Sequence, residues 1–464
     1  MSSWSTGLDI AYRALQAQQQ AIDVVNHNIA NANTPGYSRQ IADLGATRPS
    51  VVIGLSGRAG QMGTGVAVID LRRSRSSFID YQVRSESHLL GQWEVLRDGL
   101  KQVEVMFNEP SDAGLNSLMS TFWQAWQDLT NAPQDAGARR ALVEQSDSLA
   151  MAFNSKYSQL TSIQQDLDRQ IRVGSDKVNQ LAEQVASLNV KIAQAERVGQ
   201  RANDLRDQRD LVMDELSHLI RVTYYETSDG VLNVFMGSRA LVFKERAQSL
   251  TTNISSGFAS VVWADDGSAA SISNGDLYGL QQARDVHVPS FINDLNSIAS
   301  QIITRVNTLH TAGYGLDNST GLNFFDGSDA RDMAINPLLK TTPEQVAAAG
   351  SINSPGDNSV AVSISGLQRA LTMSGGTADF GRFFASTMSR LGVDSQRSDM
   401  MATNQKLLVD HLTRQRDSVS GVSLDEETIH LIEYQRAYQA AARVVNVVDE
   451  MLDRLINGMG LVGR

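Results

Sequence analysis

Apolar residues near the start of the chain recur at alternating steps of three and four positions. The series is Leu8, Ala11, Leu15, Ile22, Val25 and Ile29, with Gln18 filling one place. This spacing is the seam of a coiled-coil helix, and the opposite face is rich in Gln and Asn. Pro35 disfavours helical geometry at Thr34, and a Pro-Gly pair fits the centre of a type II turn. The first helix is therefore predicted to stop at residues 33–36.

The same spacing returns at the C-terminus. It places Leu431, Tyr434, Tyr438, Ala441, Val445, Val448, Leu452, Leu455 and Met459 on one stripe. Ser423, with Glu426 three residues later, has the pattern of a capping box that begins this helix. Each one-sided helix needs a partner, because a short isolated helix is marginal in water. The simplest partner is the other end of the chain, although membership in one ordinary helical bundle fits the pattern equally well.

The first half of the chain between these helices changes character twice. Residues 38–71 have little helical period and many glycines, which predicts an extended, partly β-structured linker. Residues 77–221 predict three or four helices, broken near Pro110 and Pro133, with the third one long. Its packing stripe is Leu160, Ile163, Leu167, Ile171, Val178, Leu181, Val185, Leu188 and Ile192. Just before it, Phe122, Trp123 and Trp126 are expected to share one buried helical face.

The second half contains β-structure and loops. Asp-Gly pairs at 229 and 266 predict β-hairpins within residues 221–272. Helical spacing resumes from Leu277 to about His310. Glycine and serine then punctuate a loop-rich stretch up to Gly376, which is expected to be exposed and tolerant of insertion.

These elements predict a mainly α fold, an elongated helical bundle in which the N- and C-terminal coiled-coil helices are paired. Residues 1–70 and 420–464 are expected to form one discontinuous terminal domain. Residues 71–419 are expected to form a helical middle domain with small β-elements near 221–272 and 321–380.

Composition removes several classes of function. The formal net charge is −11 and no long run of Lys or Arg occurs, which argues against nucleic acid and anionic membranes as partners. The chain has no Cys, which excludes disulfides and thiolate chemistry. Neither a secretory signal nor an apolar run of about 18 residues occurs, so no membrane insertion is expected, and the chain is either cytosolic or exported without a cleaved signal.

Motifs for catalysis and for cofactors are lacking in the sequence. The seven histidines have no metal-ligand spacing, and neither a serine-hydrolase elbow nor a P-loop occurs. A literal G-x-G-x-x-G at 458–463 follows a helix and not a strand, so it is interpreted as a tail. The sequence therefore predicts no catalytic residue, no metal and no cofactor, and a protein that is not an enzyme.

Two charged clusters have simpler interpretations than a ligand site. The acidic triplet Asp425, Glu426 and Glu427 lies where the last helix begins, a position that the helix dipole favours for negative charge. Capping is therefore preferred over paired catalytic carboxylates. The basic cluster Arg72, Arg73 and Arg75 is interpreted as a solvated face or as ion pairs between subunits.

Residues 28–37 read NIANANTPGY, which resembles the N-terminal signature of the axial proteins of the bacterial flagellum, namely the rod, hook and hook-associated proteins. The continuation at 38–40 and the runs at 420–427 and 434–443 are similar to the hook-associated protein 1 family in particular. Rod and hook proteins approach their last helix differently.

Internal segments at 203–210, 275–280 and 307–313 are similar to the same family, so the resemblance covers nearly the whole chain. The chain departs from the family pattern after Phe325, where it is shorter. A reduced or missing outer β-domain is expected there.

The resemblance implies a structural subunit that forms the junction between flagellar hook and filament and permits filament assembly. The implied partners are the flagellar hook protein, the second junction protein (hook-associated protein 3), further copies of this chain, and an export chaperone on the C-terminal helix. The implied location is the extracellular flagellum, reached by type III export. A hook or rod subunit is the alternative within the same class, and a helical cytosolic adaptor or a cell-wall hydrolase is the alternative from another class.

The resemblance also assigns polymerisation residues. In the N-terminal helix and turn they are Leu8, Leu15, Ile22, Val25, Ile29, Asn31, Asn33, Pro35, Gly36 and Tyr37. In the C-terminal helix, where the chaperone is also expected, they are Leu431, Tyr434, Tyr438, Ala441, Val445, Val448, Leu452 and Leu455. The amides of the first helix, at 26, 28, 31 and 33, suit contacts with neighbouring subunits or a wet channel, and equally a solvated surface with a turn cap.

Overall fold

The computed structural model describes residues 3–53, 59–111, 114–197, 199, 201–255 and 257–458. Its helices are α1 (Ser3–Ala30), α2 (Ser77–Phe107), α3 (Leu115–Asn131), α4 (Ala136–Glu196), α5 (Asn203–Leu219), α6 (Asp276–Gln282), α7 (Val288–His310), α8 (Pro337–Thr341), α9 (Ser359–Gly366), α10 (Phe380–Ser420) and α11 (Leu424–Gly458). The predicted mainly α class is confirmed.

The strands are short. They are β1 (Gln40–Ala46), β2 (Ser50–Ile53), β3 (Ala59–Met62), β4 (Val66–Arg73), β5 (Thr223–Glu226), β6 (Leu232–Met236), β7 (Arg239–Phe243), β8 (Arg246–Ala247), β9 (Leu250–Ser255), β10 (Phe258–Trp263), β11 (Phe325–Asp326) and β12 (Ala334–Ile335). Within the described residues, β5 to β8 form a four-stranded antiparallel sheet in chain order, and the other strands pair two by two.

The chain divides into two compact units. The terminal unit comprises Met1–Ser87, Val178–Ser249 and Leu407–Arg464, and the middle unit comprises His88–Lys177 and Leu250–Lys406. Each unit therefore draws on distant parts of the sequence. The predicted division at residues 70 and 420 stays a prediction.

In the terminal unit, α1 packs along α11 and also against β1 and β4. The antiparallel pair of β1 with β4 runs from Gln40 opposite Arg73 to Ala46 opposite Val66, with a bulge at Asp43 and Leu44. The segment predicted as an extended linker is thus a pair of β-ladders, β1 with β4 and β2 with β3. Residues 54–58 lie outside the described part of the chain.

The predicted stop of the first helix is confirmed. The helix ends at Ala30, the Tyr37 N–H donates to the Thr34 carbonyl over 3.2 Å, and Gly36 has φ +77°. A positive φ at the third position of a Pro-Gly turn is the type II geometry, which an L side chain adopts only with strain. A Cβ at Gly36 would also approach the Leu211 side chain to 3.3 Å. The turn is therefore specified both by its backbone and by its packing.

Four helices fill the region from 77 to 221, as predicted, and the third of them, α4, has 61 residues. Helix breaks occur around Pro110 and Pro133, because proline lacks the N–H of a helical hydrogen bond and restricts the preceding residue. The stripe predicted on α4 is buried at every position except Ile163, which is half-buried.

An aromatic core holds the middle unit together. Phe122, Trp123 and Trp126 of α3 are all at most 3% exposed, which confirms the predicted buried face. The Phe324 ring lies 5.1 Å from that of Trp126, and the Phe380 ring stacks on Trp123 at 5.6 Å. Offset and edge-on ring contacts of this kind add to the stabilisation from burial alone.

The loop-rich stretch after His310 contributes part of the core, so the expectation that it is exposed holds for only some of its residues, and its tolerance of insertion stays a prediction. The buried apolar side chains there are Phe324, Phe325, Ala330, Met333, Ile335, Leu339, Val346, Ala347, Ala348, Ala349, Ala361, Ile364 and Met373. Glycine and serine give these loops the composition of a surface, yet part of their apolar residues is buried, while Leu338, Ile352, Val362 and Leu371 are 50–57% exposed. The glycine and serine content of a segment indicates the conformational freedom of its backbone. It does not indicate which of the few large side chains in the segment become buried.

Two side chains of α7 tie this stretch to the core. The Asn307 amide donates to the Phe325 carbonyl, and its oxygen accepts from the N–H groups of Phe324 and Phe325. The His310 ring is 1% exposed, and it bonds to the Leu322 carbonyl through Nδ1 and accepts from the Ala347 N–H through Nε2. This pair of contacts requires the neutral ring protonated on Nδ1.

A pH-dependent loss of stability follows from His310. Burial lowers the pKa of its ring to about 4, whereas an unfolded histidine titrates near pH 6.5. Between these pH values the unfolded chain binds more protons, so the free energy of unfolding is expected to fall by up to about 3 kcal/mol as the pH drops from 6.5 to 4. Denaturation followed by tryptophan fluorescence across this range checks it. His310→Gln, which cannot titrate there, should flatten the slope, and equal slopes for both proteins would contradict the account.

Candidate functional site

The predicted N-terminal seam is only partly the buried face of α1. Val25 is buried and Leu15, Ile22 and Ile29 are half-buried, but Leu8 is 37% exposed. The most buried residues of α1 are Ala11, Ala17, Ala21, Val25 and Asn28. Small side chains let the partner helix approach closely, so the face of contact is shifted from the one that large apolar residues indicated.

The predicted C-terminal seam matches the side of α11 that α1 covers. Val448 is buried, and Leu431, Tyr434, Ala441, Val445 and Leu452 are half-buried. Tyr438 is 37% exposed, and the side chain of Leu455 lies outside the described part of the chain. These residues are brought together with α1, while their role in polymerisation is taken up below.

A group of polar side chains joins the turn after α1 to the first turn of α11. We call Asn28, Tyr37, Arg39, Gln40 and Glu427 the terminal joint. The Asn28 amide donates to the Gln40 carbonyl and to Glu427 Oε2, both over 2.9 Å. Its oxygen accepts from the Tyr37 hydroxyl at 2.8 Å and from the Gln40 N–H at 2.9 Å. Residues 399 positions apart in sequence are thereby in direct contact.

Glu427 is the charged centre of the terminal joint. It is 1% exposed, and Arg39 Nε donates to its Oε1 over 2.7 Å. The Arg39 N–H also donates to the Ser420 carbonyl over 2.8 Å. A buried carboxylate is tolerable only when it is paired and hydrogen-bonded, which Arg39 and Asn28 together accomplish.

The acidic triplet therefore divides its roles. The Glu426 N–H donates to Ser423 Oγ over 3.4 Å, which is one half of the predicted capping box. Glu427, which was expected to cap the helix, instead lies in the terminal joint. A buried glutamate in a first helical turn looks the same in sequence as an exposed capping one, so only the fold separates them.

The turn residues between α1 and the terminal joint are mostly exposed. Asn33, Pro35 and Gly36 are exposed, and Asn31 is half-buried with its amide donating to the His27 carbonyl. Thr34 Oγ1 donates to Asn31 Oδ1 over 3.2 Å. Asn31 thus stabilises the turn, as one of the two sequence interpretations expected, whereas Asn28 is neither solvated nor free for another subunit.

A cluster of paired charges underlies the terminal joint. We call Arg73, Arg75, Arg84, Asp207 and Asp210 the Arg–Asp cluster. Arg73 Nη1 lies 2.7 Å from Asp207 and 2.8 Å from Asp210, and Arg84 Nη2 lies 3.1 Å from Asp210. The Asp207 carboxylate also accepts from the N–H of Ser38, two residues before β1.

The cluster extends to the helices around it. Arg75 pairs with Asp80 through Nε at 2.7 Å, and Arg84 and Arg416 both pair with Asp214, at 2.7 and 2.6 Å. The expectation that Arg73 and Arg75 form a solvated face or pair between subunits is wrong, because their side chains are 15% and 9% exposed and pair within the chain. Arg72, half exposed, pairs with Asp43 at 2.7 Å.

Burial and neighbouring charges shift the titration of these groups in opposite directions. Burial disfavours the ionised Asp210, yet Arg75, Arg84 and Arg73 outweigh it and hold the pKa of Asp210 well below its ordinary range. Burial, followed by the charges of Asp204, Asp207 and Glu427, raises the pKa of the Tyr37 phenol. The carboxylate therefore stays ionised and the phenol stays a donor at any physiological pH.

The ion pair of Arg39 with Glu427 and most contacts of the Arg–Asp cluster were not predicted from the sequence. A signal was present in residues 203–210, where α5 carries Asp and Arg at helical spacing without an intervening apolar stripe. Such a run usually indicates a solvated helix face. Here the face is buried because arginines on other elements pair with its aspartates.

The described residues contain no group of three or more His, Cys, Asp or Glu placed to hold a metal ion. Among the helices that the structure describes, none is long and apolar enough to cross a membrane. The terminal joint and the Arg–Asp cluster connect segments that are distant in sequence.

Family models match three stretches of the chain. The model described as the flagellar hook-associated protein FlgK helical domain matches residues 100–325. The flagellar basal body rod FlgEFG protein C-terminal model matches residues 414–458, and the flagella basal body rod protein model matches residues 8–37. The two rod models thus cover the seams of α1 and α11.

Whole-chain relatives carry one name. Flagellar hook-associated protein 1 of Bacillus subtilis strain 168 is 33% identical over 511 residues, with all of both chains covered. That of Escherichia coli K12 is 24% identical over 550 residues, covering 98% of this chain and all of the relative.

A solved structure shares the fold. The structure titled the flagellar hook junction protein FlgK from Burkholderia pseudomallei matches with a TM-score of 0.65 at 15% identity, over 73% of this chain and all of that one. With a complete relative at 33% identity and family models at both ends and in the middle, the chain belongs to the flagellar hook-associated protein 1 family, the structural proteins of the hook–filament junction of the bacterial flagellum.

Proposed function

We propose that this chain works as a junction subunit whose paired terminal helices assemble side by side with those of neighbouring copies. The observation that carries the proposal is an apolar stripe on α11 that lies away from α1. Its side chains are Ile429, Ile432, Val444, Val447 and Met451, which are 40–64% exposed. At about 100° per residue they share one face, roughly 140° around the helix from the predicted seam.

An exposed apolar stripe of this kind supports an interaction surface, because isolated exposed residues are ordinary but aligned ones are not. On α1, Leu8 and Tyr12 are 37% and 58% exposed and add apolar surface. The helix pair has thus buried one seam and retains a second face for neighbours. A purely internal bundle would need no second face.

The proposal joins folding to assembly. Helices whose outer faces are covered only among neighbours gain much of their stability at the moment of incorporation, so the ends are expected to become ordered at the assembly site. Residues 1–70 with 420–464 would then make the inner tube, and the middle of the chain would make the surrounding shell. Their work is mechanical and involves no reaction.

The partners that we propose are the ones that the family resemblance implies, and the exposed stripe of α11 supports contact with other chains. The flagellar hook protein and the second junction protein, hook-associated protein 3, meet the assembled layer, and further copies of this chain complete it. Before assembly, an export chaperone covers the apolar stripe of α11, which otherwise exposes a large apolar face in solution. The assembled protein is extracellular, and the chain leaves the cell by type III export.

Two polar substitutions in the stripe test the proposal. In the full-length chain, Val444→Gln with Val447→Gln removes apolar surface that is already exposed, so the stability of the isolated chain should change by less than about 1 kcal/mol. Cells that make this variant are expected to carry bare hooks and to release flagellin into the medium. Electron microscopy of the cells and immunoblots of the medium measure both results.

A matched control uses the third face of the same helix. Gln435→Ala with Gln439→Ala changes two exposed residues off the stripe, and these cells should carry ordinary filaments. The level of the variant chain in the medium distinguishes a defect in export from a defect in assembly. A chain that is exported but not incorporated has lost its contacts with neighbouring subunits and still binds its chaperone. Normal filaments on the Val444→Gln, Val447→Gln cells would refute the side-by-side packing.

A further inference from the structure

Asn28 occupies a special place on α1. Among the described residues of this helix it is the one polar side chain that is fully buried, at 1% exposure. The other buried residues are Ala11, Ala17, Ala21 and Val25. Small apolar side chains at this spacing make a smooth face, and a smooth face does not by itself fix how far one helix is displaced along the other.

We propose that Asn28, through Glu427, is the positioning residue that fixes the axial register between α1 and α11. This inference rests on the proposed assembly of the paired helices. The Asn28 side chain uses both of its N–H groups and accepts two hydrogen bonds, from Tyr37 and Gln40, so its capacity is fully satisfied in this register. A buried Asn in a helical seam is a known kind of register device.

The geometry shows which alternatives must be excluded. The contact of Asn28 with Glu427 brings the end of α1 to the start of α11, so the helices are antiparallel. With equal rise per residue, Ala21 lies near the level of Tyr434 and Ala17 near that of Tyr438. The small residues of α1 thus face the large ones of α11.

Sliding by one heptad, about 10 Å, would bring the repeating apolar stripes into contact again. It would also separate Asn28 from Glu427 and leave a buried amide and a buried carboxylate without each other. Unsatisfied buried polar groups and charges are costly, whereas apolar side chains still face apolar side chains in the slipped register. The polar pair therefore discriminates between registers that the apolar stripes tolerate.

The backbone also connects these segments, because the Arg39 N–H donates to the Ser420 carbonyl. The test must therefore separate the side-chain pair from the chain connection. The chain has no Cys, so introduced cysteine pairs report register without background. Ala21→Cys with Tyr434→Cys reports the native register, and Ala21→Cys with Ala441→Cys reports a slip of one heptad.

Each pair is placed in three full-length backgrounds: the parent chain, Asn28→Leu with Glu427→Leu, and Asn26→Leu with Glu433→Leu. The last is the matched control, because Asn26 and Glu433 are exposed residues of the same two helices. Disulfide formation is measured in flagella sheared from cells. For a variant that is exported without assembling, it is measured on the chain recovered from the medium.

Loss of the polar pair is expected to raise the ratio of slipped to native cross-links about tenfold, while the control keeps the ratio of the parent chain. Glu427→Gln, which retains an acceptor for Asn28, should keep the native ratio as well. An unchanged ratio in the Asn28→Leu, Glu427→Leu chain would overturn the register assignment. Absence of the native cross-link from assembled flagella of the parent chain would instead count against the proposed helix pairing itself.

Discussion

Replacing Asp210 by Asn is expected to lower the free energy of unfolding of the terminal unit by about 3 kcal/mol. Asp210 lies within 3.5 Å of Arg73, Arg75 and Arg84, whose side chains are 5–15% exposed. Removal of the charge leaves three largely desolvated guanidinium groups with one carboxylate fewer. Breaking a buried network in this way costs far more than breaking an exposed ion pair, because the remaining charges cannot be rehydrated.

Far-UV circular dichroism during urea denaturation, with hydrogen exchange of α5, measures this effect. The tryptophans at 93, 123, 126 and 263 lie in the middle unit, so their fluorescence serves as an internal control that should change little. Asp43→Asn is the matched variant, since the partly exposed Asp43 pairs with the half-exposed Arg72, and it should cost less than about 1 kcal/mol. Equal effects of the two variants would contradict the described role of the Arg–Asp cluster.

Phe324→Ala is expected to destabilise the middle unit by about 4 kcal/mol. The Phe324 side chain is fully buried, and its ring lies 4.9 Å from Phe325, 5.1 Å from Trp126 and 5.3 Å from His310. Truncation removes apolar burial and leaves a cavity that these rigid rings cannot fill. The loss should also loosen the stretch that follows α7.

Tryptophan fluorescence during denaturation reads this change directly, because Trp126 contacts the substituted ring. Phe324→Leu retains part of the volume and should lose less than half as much as the alanine variant. Leu338→Ala, at a side chain that is 52% exposed in the same stretch, is the control and should stay within about 0.5 kcal/mol of the parent. A small effect of Phe324→Ala would mean that the stretch is not an integral part of the core.

The two units show different limits of inference from sequence. In the middle unit, periodicity located the helices and the aromatic face of α3, but composition did not show which residues after His310 are buried. The reason is that Phe324, Phe325 and Met333 are few and irregularly spaced, so no repeating pattern marks them as core. Their burial depends on Asn307 and His310 of α7. These two side chains form hydrogen bonds with the backbone of the following loops, up to 37 positions away in sequence.

In the terminal unit, the sequence identified the right segments and not the right contacts. The signature at 28–37 and the run at 420–427 were recognised by resemblance, and both turn out to supply the terminal joint. Asn28 and Glu427 could not be paired from the chain alone, because no local rule relates residues 399 positions apart. The burial of Arg73 and Arg75 was likewise not predicted, because the acidic residues that pair with them lie on other elements of the fold.

The sequence by itself determined the mainly helical class, the end of α1, the start of α11, the long α4 and the position of the Pro-Gly turn. Each of these follows from spacing and backbone chemistry within a few residues. Tertiary structure alone decided that Asn28, Arg39 and Glu427 meet, that Asp210 is surrounded by arginines, and that a glycine- and serine-rich stretch supplies part of the core. These contacts depend on which distant segments pack together. Once buried, the polar and charged residues at these contacts need partners, so their hydrogen bonds and ion pairs stabilise the fold.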